Sequence, residues 1–161
     1  MMSPEQKFGL KGERWVVDQL KKRGYKPTLY PDFQNQACDL EVNGLCIEVK
    51  IARPTLRIRT LQSGSKVHYT RWQWCIHPTS LHMQGEWALV LLADTIKKTV
   101  PFIIPGSQVG DRTHLQITSH PDRYNGWLAE YRNAWDVISY LSQQTYLDNG
   151  PTYEQWSRIA A

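Results

Sequence analysis

The stretch from Cys38 to Ala52, CDLEVNGLCIEVKIA, leaves the chain few conformational choices. Asn43-Gly44 between two alternating apolar runs is the signature of a two-residue β-hairpin loop, because both central positions of a type I′ turn need positive φ. Before the loop, Leu40 and Val42 alternate with Asp39 and Glu41; after it, Leu45, Ile47, Val49 and Ile51 alternate with Cys46, Glu48 and Lys50. Counting outward from the loop sets Val42 against Leu45, Glu41 against Cys46, Leu40 against Ile47 and Asp39 against Glu48. One face of the hairpin is then apolar and buried, and burial of that face is what pins the register.

The other face carries chemistry. Opposed residues of an antiparallel pair have Cβ atoms roughly 4.5–5.5 Å apart, and two like charges so placed repel. A hard divalent cation with oxygen ligands would relieve the repulsion between Asp39 and Glu48. Lys50, two residues past Glu48, leaves the strand on the same side. The same pattern also describes the solvated face of an ordinary amphipathic hairpin, and a one-residue slip would separate the two acids.

At 161 residues the chain is long enough for one domain with a real core, and its 41% hydrophobic content is that of a globular protein. A net charge of +4 and a pI near 9.0 favour an acidic partner such as nucleic acid. Three cysteines, Cys38, Cys46 and Cys75, with no C-x-x-C pair, suggest a reducing, cytoplasmic setting rather than a disulfide framework or a zinc knuckle. The opening MMSPEQKFGLKGER has no apolar run, so no signal peptide is expected, and no segment approaches a membrane span. Seven Trp and eight Tyr are expected mainly in the core or a subunit interface, with a few free to stack on bases.

Along the chain, Ser3-Pro4-Glu5-Gln6 predicts a helix start that runs to about Arg23, with Gly24 as the stop. Val16, Val17 and Leu20 form its apolar stripe, and Glu13 falls on that side, where an acid is costly unless paired or able to reach solvent. Tyr25 to Tyr30 reads as an edge strand, and Pro31 to Ala37 as a loop. From Val49 to Gly85 every charged residue is basic: Lys50, Arg53, Arg57, Arg59, Lys66 and Arg71. Gly64 and its serines suggest a mobile loop there. A one-signed patch beside a carboxylate site suits a phosphodiester substrate, although a solvated loop would look alike. Arg71 to His77 alternates, with Trp72, Trp74 and Ile76 on one face and Gln73, Cys75 and His77 on the other. Trp87 to Ala93 predicts a central strand, Thr99 to Ile104 another, 126–143 a late helix, and Thr152 to Gln155 the start of a last one.

Gly12-Glu13-Arg14 on a first helix, Asp39 on a hairpin and Glu48-Val49-Lys50 after its turn together resemble the PD-(D/E)XK nuclease superfamily over residues 11–53. Cys38 stands where that family often has proline; a literal Pro31-Asp32 lies upstream, but hairpin counting favours Asp39. The helix that usually follows the Glu-x-Lys strand is not evident after Arg53-Pro54. The resemblance implies an α/β, restriction-endonuclease-like core: a mixed central β-sheet flanked by helices, in one nuclease domain spanning 1–161. It implies Mg²⁺-dependent hydrolysis of DNA, with Mn²⁺ able to substitute, leaving 5′-phosphate and 3′-hydroxyl ends. Asp39, Glu48 and the Val49 carbonyl would hold the metal, and Glu13 a second metal or its waters. Lys50 would serve the attacking water or the phosphoryl oxygens. Arg53, Arg57, Arg59, Lys66 and Arg71 would bind the nucleic acid, and Gln73 would line the site. One site per small chain implies a homodimer or higher symmetric assembly for cutting both strands. Competing readings are a non-catalytic DNA-binding subunit on the same fold, a ribonuclease, and a zinc protein using His77, His82 and the cysteines.

Overall fold

The structure, a computed structural model, describes residues 1–30, 38–76 and 86–149. Helix α1 (Pro4–Lys22) starts as its sequence requires. The Ser3 hydroxyl accepts from the Gln6 N–H at 3.2 Å, and the Gln6 side chain accepts from the Ser3 N–H at 2.8 Å. This reciprocal capping box satisfies two amide donors that the first turn would otherwise leave unpaired. Gly24, at φ +88°, ends the helix in a conformation that other residues resist.

Five strands form a mixed sheet in the order β1–β2–β3–β6–β7. They are β1 (Thr28–Leu29), β2 (Leu40–Val42), β3 (Leu45–Ala52), β6 (Trp87–Asp94) and β7 (Thr99–Pro105). The β2–β3 turn has φ 50° at Asn43 and 82° at Gly44, and the ladder pairs Val42 with Leu45, Glu41 with Cys46 and Leu40 with Ile47. The hairpin register is therefore the one that the sequence predicts. Strand β3 runs parallel to β6 from Cys46 beside Trp87 to Ala52 beside Ala93, and β7 returns antiparallel to β6. The first seven residues of β6 are all buried, as a strand covered on both faces must be.

The sheet lies between two layers of different kinds. On one face, Val16 and Leu20 of α1 meet Leu45, Ile47 and Val49 of β3, together with Ile138 and Leu141 of helix α3 (Asp136–Asn149). On the other lies a second, antiparallel sheet, β4–β5–β8, formed by β4 (Thr55–Thr60), β5 (Lys66–Cys75) and β8 (His114–Ile117). Trp72 and Trp74 of β5 pack there against Leu89, Leu91 and Phe102. Both indole N–H groups are satisfied by carbonyls of β6, Trp72 to Asp94 at 2.9 Å and Trp74 to Leu92 at 3.1 Å, which lets the rings be buried at no polar cost. The fold is thus α/β around a mixed central sheet, with α1 and α3 on one face and the second sheet on the other.

Three stretches depart from expectation. The basic segment is not a mobile loop, because β4 and β5 pair residue for residue from Thr55↔Arg71 to Thr60↔Lys66, and Gly64 (φ +86°) sits in the turn between them. The span 126–143 is not one helix: a 3-10 turn (Trp127–Tyr131) is followed by a break before α3. The Asn133 N–H bonds the Pro101 carbonyl at 2.9 Å and Arg132 bridges to Phe102, so pairing with β7 pulls the chain out of helical geometry. The segment between Pro105-Gly106 and Asn125, which its polar, turn-rich sequence marks as irregular, contains a short helix, α2 (Gly106–Val109), and strand β8. The last short helix expected at Thr152 and the loop Pro31 to Ala37 lie outside the described residues.

Helix α1 approaches β3 closely because residue 12 has no side chain. A Cβ at Gly12 would sit 3.1 Å from Ile51 and 3.4 Å from Leu92, whereas one at Gly9 would meet nothing. Gly12→Val is expected to cost about 1–3 kcal/mol by overpacking. Gly9→Ala should be neutral or stabilising by up to about 1 kcal/mol from helix propensity. Urea midpoints of the two variants check this, and equal stability would mean that α1 does not rest on β3 through Gly12.

Candidate active site

Glu5, Phe8, Gly9 and Glu13 follow helical spacing and share one side of α1. That side faces the part of β3 that β2 leaves unpaired, since the β2 ladder ends at Leu40↔Ile47. Between them lies a cavity of about 440 Å³ whose wall includes Glu13, Asp39, Val49, Lys50 and Arg53. The fold thus brings together four residues singled out in sequence for chemistry and one singled out for nucleic-acid binding, from a helix, a bend and a strand.

Asp39 does not sit opposite Glu48 as hairpin counting predicts. The chain bends at Asp39, its backbone carbonyl accepting from the Tyr30 N–H at 3.0 Å. Its carboxylate accepts from the Val49 N–H at 2.8 Å. A side chain thereby replaces the bond that a continued β2 would have made. A strand residue projects its N–H and C=O to the same side, so the Val49 carbonyl belongs to this open edge as well. Beside the bend, the Tyr30 hydroxyl donates to Glu41 at 3.2 Å, and the charge of that carboxylate holds the phenol above its ordinary pKa.

Lys50 and Glu48 alternate on β3 and leave it on one face, both half-buried. Lys50 reaches the cavity wall; Glu48 does not line it. Gln73 is half-buried on β5, on the side opposite Trp72 and Trp74, and is likewise not part of that wall. The Arg53 guanidinium lies over the Phe8 ring at 3.7 Å from its centroid, which fixes a cation at the cavity's edge. Phe8 and Glu5 escaped the sequence reading, although Glu5 lies eight residues from Glu13 and Phe8 three from Glu5, spacings that put them on one side of the helix. Among the described residues, no three of His, Cys, Asp or Glu converge as a ready-made metal cluster. Mg²⁺ needs no such cluster: it takes one or two carboxylates and completes its octahedron with water and substrate phosphate. Asp39, Glu13 and the Val49 carbonyl are hard oxygen donors of that kind.

Cys38 and Cys46 form a disulfide, contrary to the expectation of free thiols. The spacing concealed it, because in the hairpin register Cys46 faces Glu41 and not Cys38. The bend at Asp39 brings the two Cα atoms to 5.4 Å, inside the range a disulfide spans. Cys75 remains free and exposed. The zinc reading therefore loses two of its cysteines, and His77 and His82 lie outside the described residues.

The remaining basic residues are displayed on the second sheet. Arg57 and Arg59 lie on β4, all six residues of which are exposed; Lys66 is exposed at the start of β5, and Arg71 is half-buried opposite Thr55. No helix among the described residues is long and apolar enough to cross a membrane.

A mixed sheet with helices over one face and a second sheet over the other, its hairpin opening beside the first helix, defines an α/β fold. The chain is similar in structure to the bacterial homing endonuclease I-Ssp6803I, with a TM-score of 0.58 and 15% sequence identity, over 90% of this chain and 98% of that one. No protein-family model matches the sequence, and no curated protein does. At this identity the likeness is one of fold.

The bridge between Cys38 and Cys46 anchors the bend that carries Asp39. Replacing both cysteines by alanine is expected to lower stability by about 2–3 kcal/mol, the usual effect of releasing a short disulfide loop. A urea titration with and without dithiothreitol checks it; a wild-type midpoint indifferent to reductant would mean that the bond does not constrain the fold.

Proposed function

We propose that the protein is a metal-dependent endodeoxyribonuclease of homing, restriction or junction-resolving type, with a PD-(D/E)XK site. The observation that carries this reading is the convergence of Glu13, Asp39, Val49 and Lys50 on one cavity at the open edge of β3. The adjoining run of basic residues without an acid, and a structural neighbour named as a homing endonuclease, support it.

The chemistry assigned to each group follows from its type and place. Asp39, Glu48 and the Val49 carbonyl would hold Mg²⁺ or Mn²⁺, and Glu13 would hold a second metal or its waters. The metal supplies charge stabilisation at phosphorus and lowers the pKa of a bound water. Lys50, which lines the same cavity, would orient the attacking water or neutralise the phosphoryl oxygens. Arg53, stacked on Phe8, holds the neighbouring phosphate without having to be ordered at the moment of binding. With one such site per chain, a symmetric dimer would cut both strands.

Asp39→Ala and Glu48→Ala are each expected to abolish Mg²⁺-dependent cutting while leaving the circular dichroism spectrum unchanged. Lys50→Ala should slow cutting by about 10²–10⁴-fold. The assay uses supercoiled plasmid, a four-way DNA junction and an RNA duplex, each with Mg²⁺, with Mn²⁺ and with EDTA. The preferred substrate separates duplex cleavage, junction resolution and RNA cleavage. Cutting by Asp39→Ala protein at the wild-type rate would remove the assignment, and tight DNA binding with no cutting under any condition would favour the non-catalytic subunit.

A further inference from the structure

Strand β5 serves two partners in succession. Its second half, Trp72 to Cys75, pairs with β8 and packs into the core, while its first half pairs only with β4. The paired segment Thr55–Thr60 with 66–71 is therefore a two-stranded ribbon attached to the body at one end. Its outer strand is exposed throughout. Leu56 and Ile58 are 70% and 58% exposed, so no core holds this strand in place.

Register divides the ribbon into two unlike faces, because opposed residues in an antiparallel pair project to the same side. Thr55, Arg57 and Arg59 share a face with their partners Arg71, Tyr69 and Val67. Leu56, Ile58 and Thr60 share the other with Thr70, His68 and Lys66. The first face collects three guanidinium groups and a phenol, and no acid occurs between Val49 and Gly85 to neutralise them. Among the described residues, Arg57 and Arg59 enter no ion pair, and the buried Nε of Arg71 has no hydrogen-bond partner. A buried donor without an acceptor is uncommon in native structures and calls for one from outside.

We infer that this ribbon enters the major groove of the substrate duplex and that Arg57 and Arg59 read base edges there, while Arg71 at its root takes a phosphate. This deepens the endonuclease reading and rests on it. The major groove is wide enough for a two-stranded β-ribbon, and β4 extends roughly 20 Å at about 3.4 Å per residue. Arg57 and Arg59 are two residues apart, about 6.8 Å along the strand, close to two base-pair steps at about 3.4 Å each. A guanidinium donates two parallel hydrogen bonds to the O6 and N7 acceptors of guanine, the commonest specific contact in that groove. Two arginines so spaced on one face are suited to guanines about two steps apart, a task to which surface lysines pointing in several directions would be poorly matched. Phosphate binding then falls to Arg71 and Arg53, nearer the cavity.

The test is selection from a random-sequence DNA duplex library in EDTA, so that binding is read without cutting, with wild-type protein and the Arg57→Ala, Arg59→Ala and Lys66→Ala variants. Wild-type protein is expected to enrich a consensus. Arg57→Ala and Arg59→Ala should each lose preference at one base pair of each half-site, the two positions lying about two steps apart. Affinity for the best site should fall about tenfold for each. The salt dependence of binding should keep its slope, whereas losing a phosphate contact would reduce it by about 0.9. Lys66→Ala, on the other face, should leave the consensus unchanged. A uniform loss of affinity with an intact consensus, or wild-type binding without any consensus, would overturn groove reading by the ribbon and leave the nuclease reading standing. Failure of the wild-type protein to bind any duplex would overturn groove reading by the ribbon, and failure to bind the four-way junction as well would overturn the nuclease reading too. Circular dichroism of each variant excludes loss of folding as the cause, and the exposure of both arginines makes such loss unexpected.

Discussion

The structure depends on an asymmetry in how β3 is paired. One edge of the strand is joined to β6 from Cys46 to Ala52, while the other is joined to β2 for only three residues. Its second half is held rigidly by a buried neighbour and is still open to what lies beside it. The Asp39 carboxylate closes part of that opening by accepting from the Val49 N–H. This one hydrogen bond fixes a charged oxygen against a backbone that cannot move without disturbing the central sheet. Helix α1, resting on Ile51 through Gly12, supplies the opposite wall. The cavity is thus bounded by three independently anchored pieces, and its shape follows from the way the sheet ends.

Anchoring of this sort would serve the chemistry proposed for this cavity. Charged groups act most strongly where they are already in place and need not reorganise. Asp39 is held by a main-chain donor and by a disulfide one residue away, and Arg53 by an aromatic ring. Lys50 is carried on a strand with neighbours in register on β6. Glu48 is the exception, on the same strand face as Lys50 yet off the cavity wall.

Much of this was legible in the sequence wherever a short-range rule decides the outcome. Asn43-Gly44 set the hairpin and its register because a two-residue turn admits few backbones. Ser3, Pro4 and Gln6 set the helix start, and the alternation of Trp72, Trp74 and Ile76 set the buried face of β5. What could not be read came from tertiary pairing. The break at Asn133 arises because β7 competes for its amide, so a correct apolar spacing predicted one continuous helix. The Cys38–Cys46 bond depends on a bend that shifts Cys38 out of the hairpin count. The ribbon was missed because an exposed strand has no burial pattern to announce it, and the Gly-Ser turn within it looks like that of a loop.

The same ribbon bears on how such a protein can change. Nearly every position on β4 is released from the demands of folding, because its pairing uses main-chain atoms and its side chains pack against no core. The cavity residues lie on elements where a substitution disturbs the sheet or the helix that covers it. The cavity and the exposed ribbon therefore occupy separate mutational territories, joined by the short link Arg53-Pro54. A lineage carrying this fold can explore new exposed faces on the ribbon at little cost in stability, while the elements that hold the cavity are kept fixed by the core they also build.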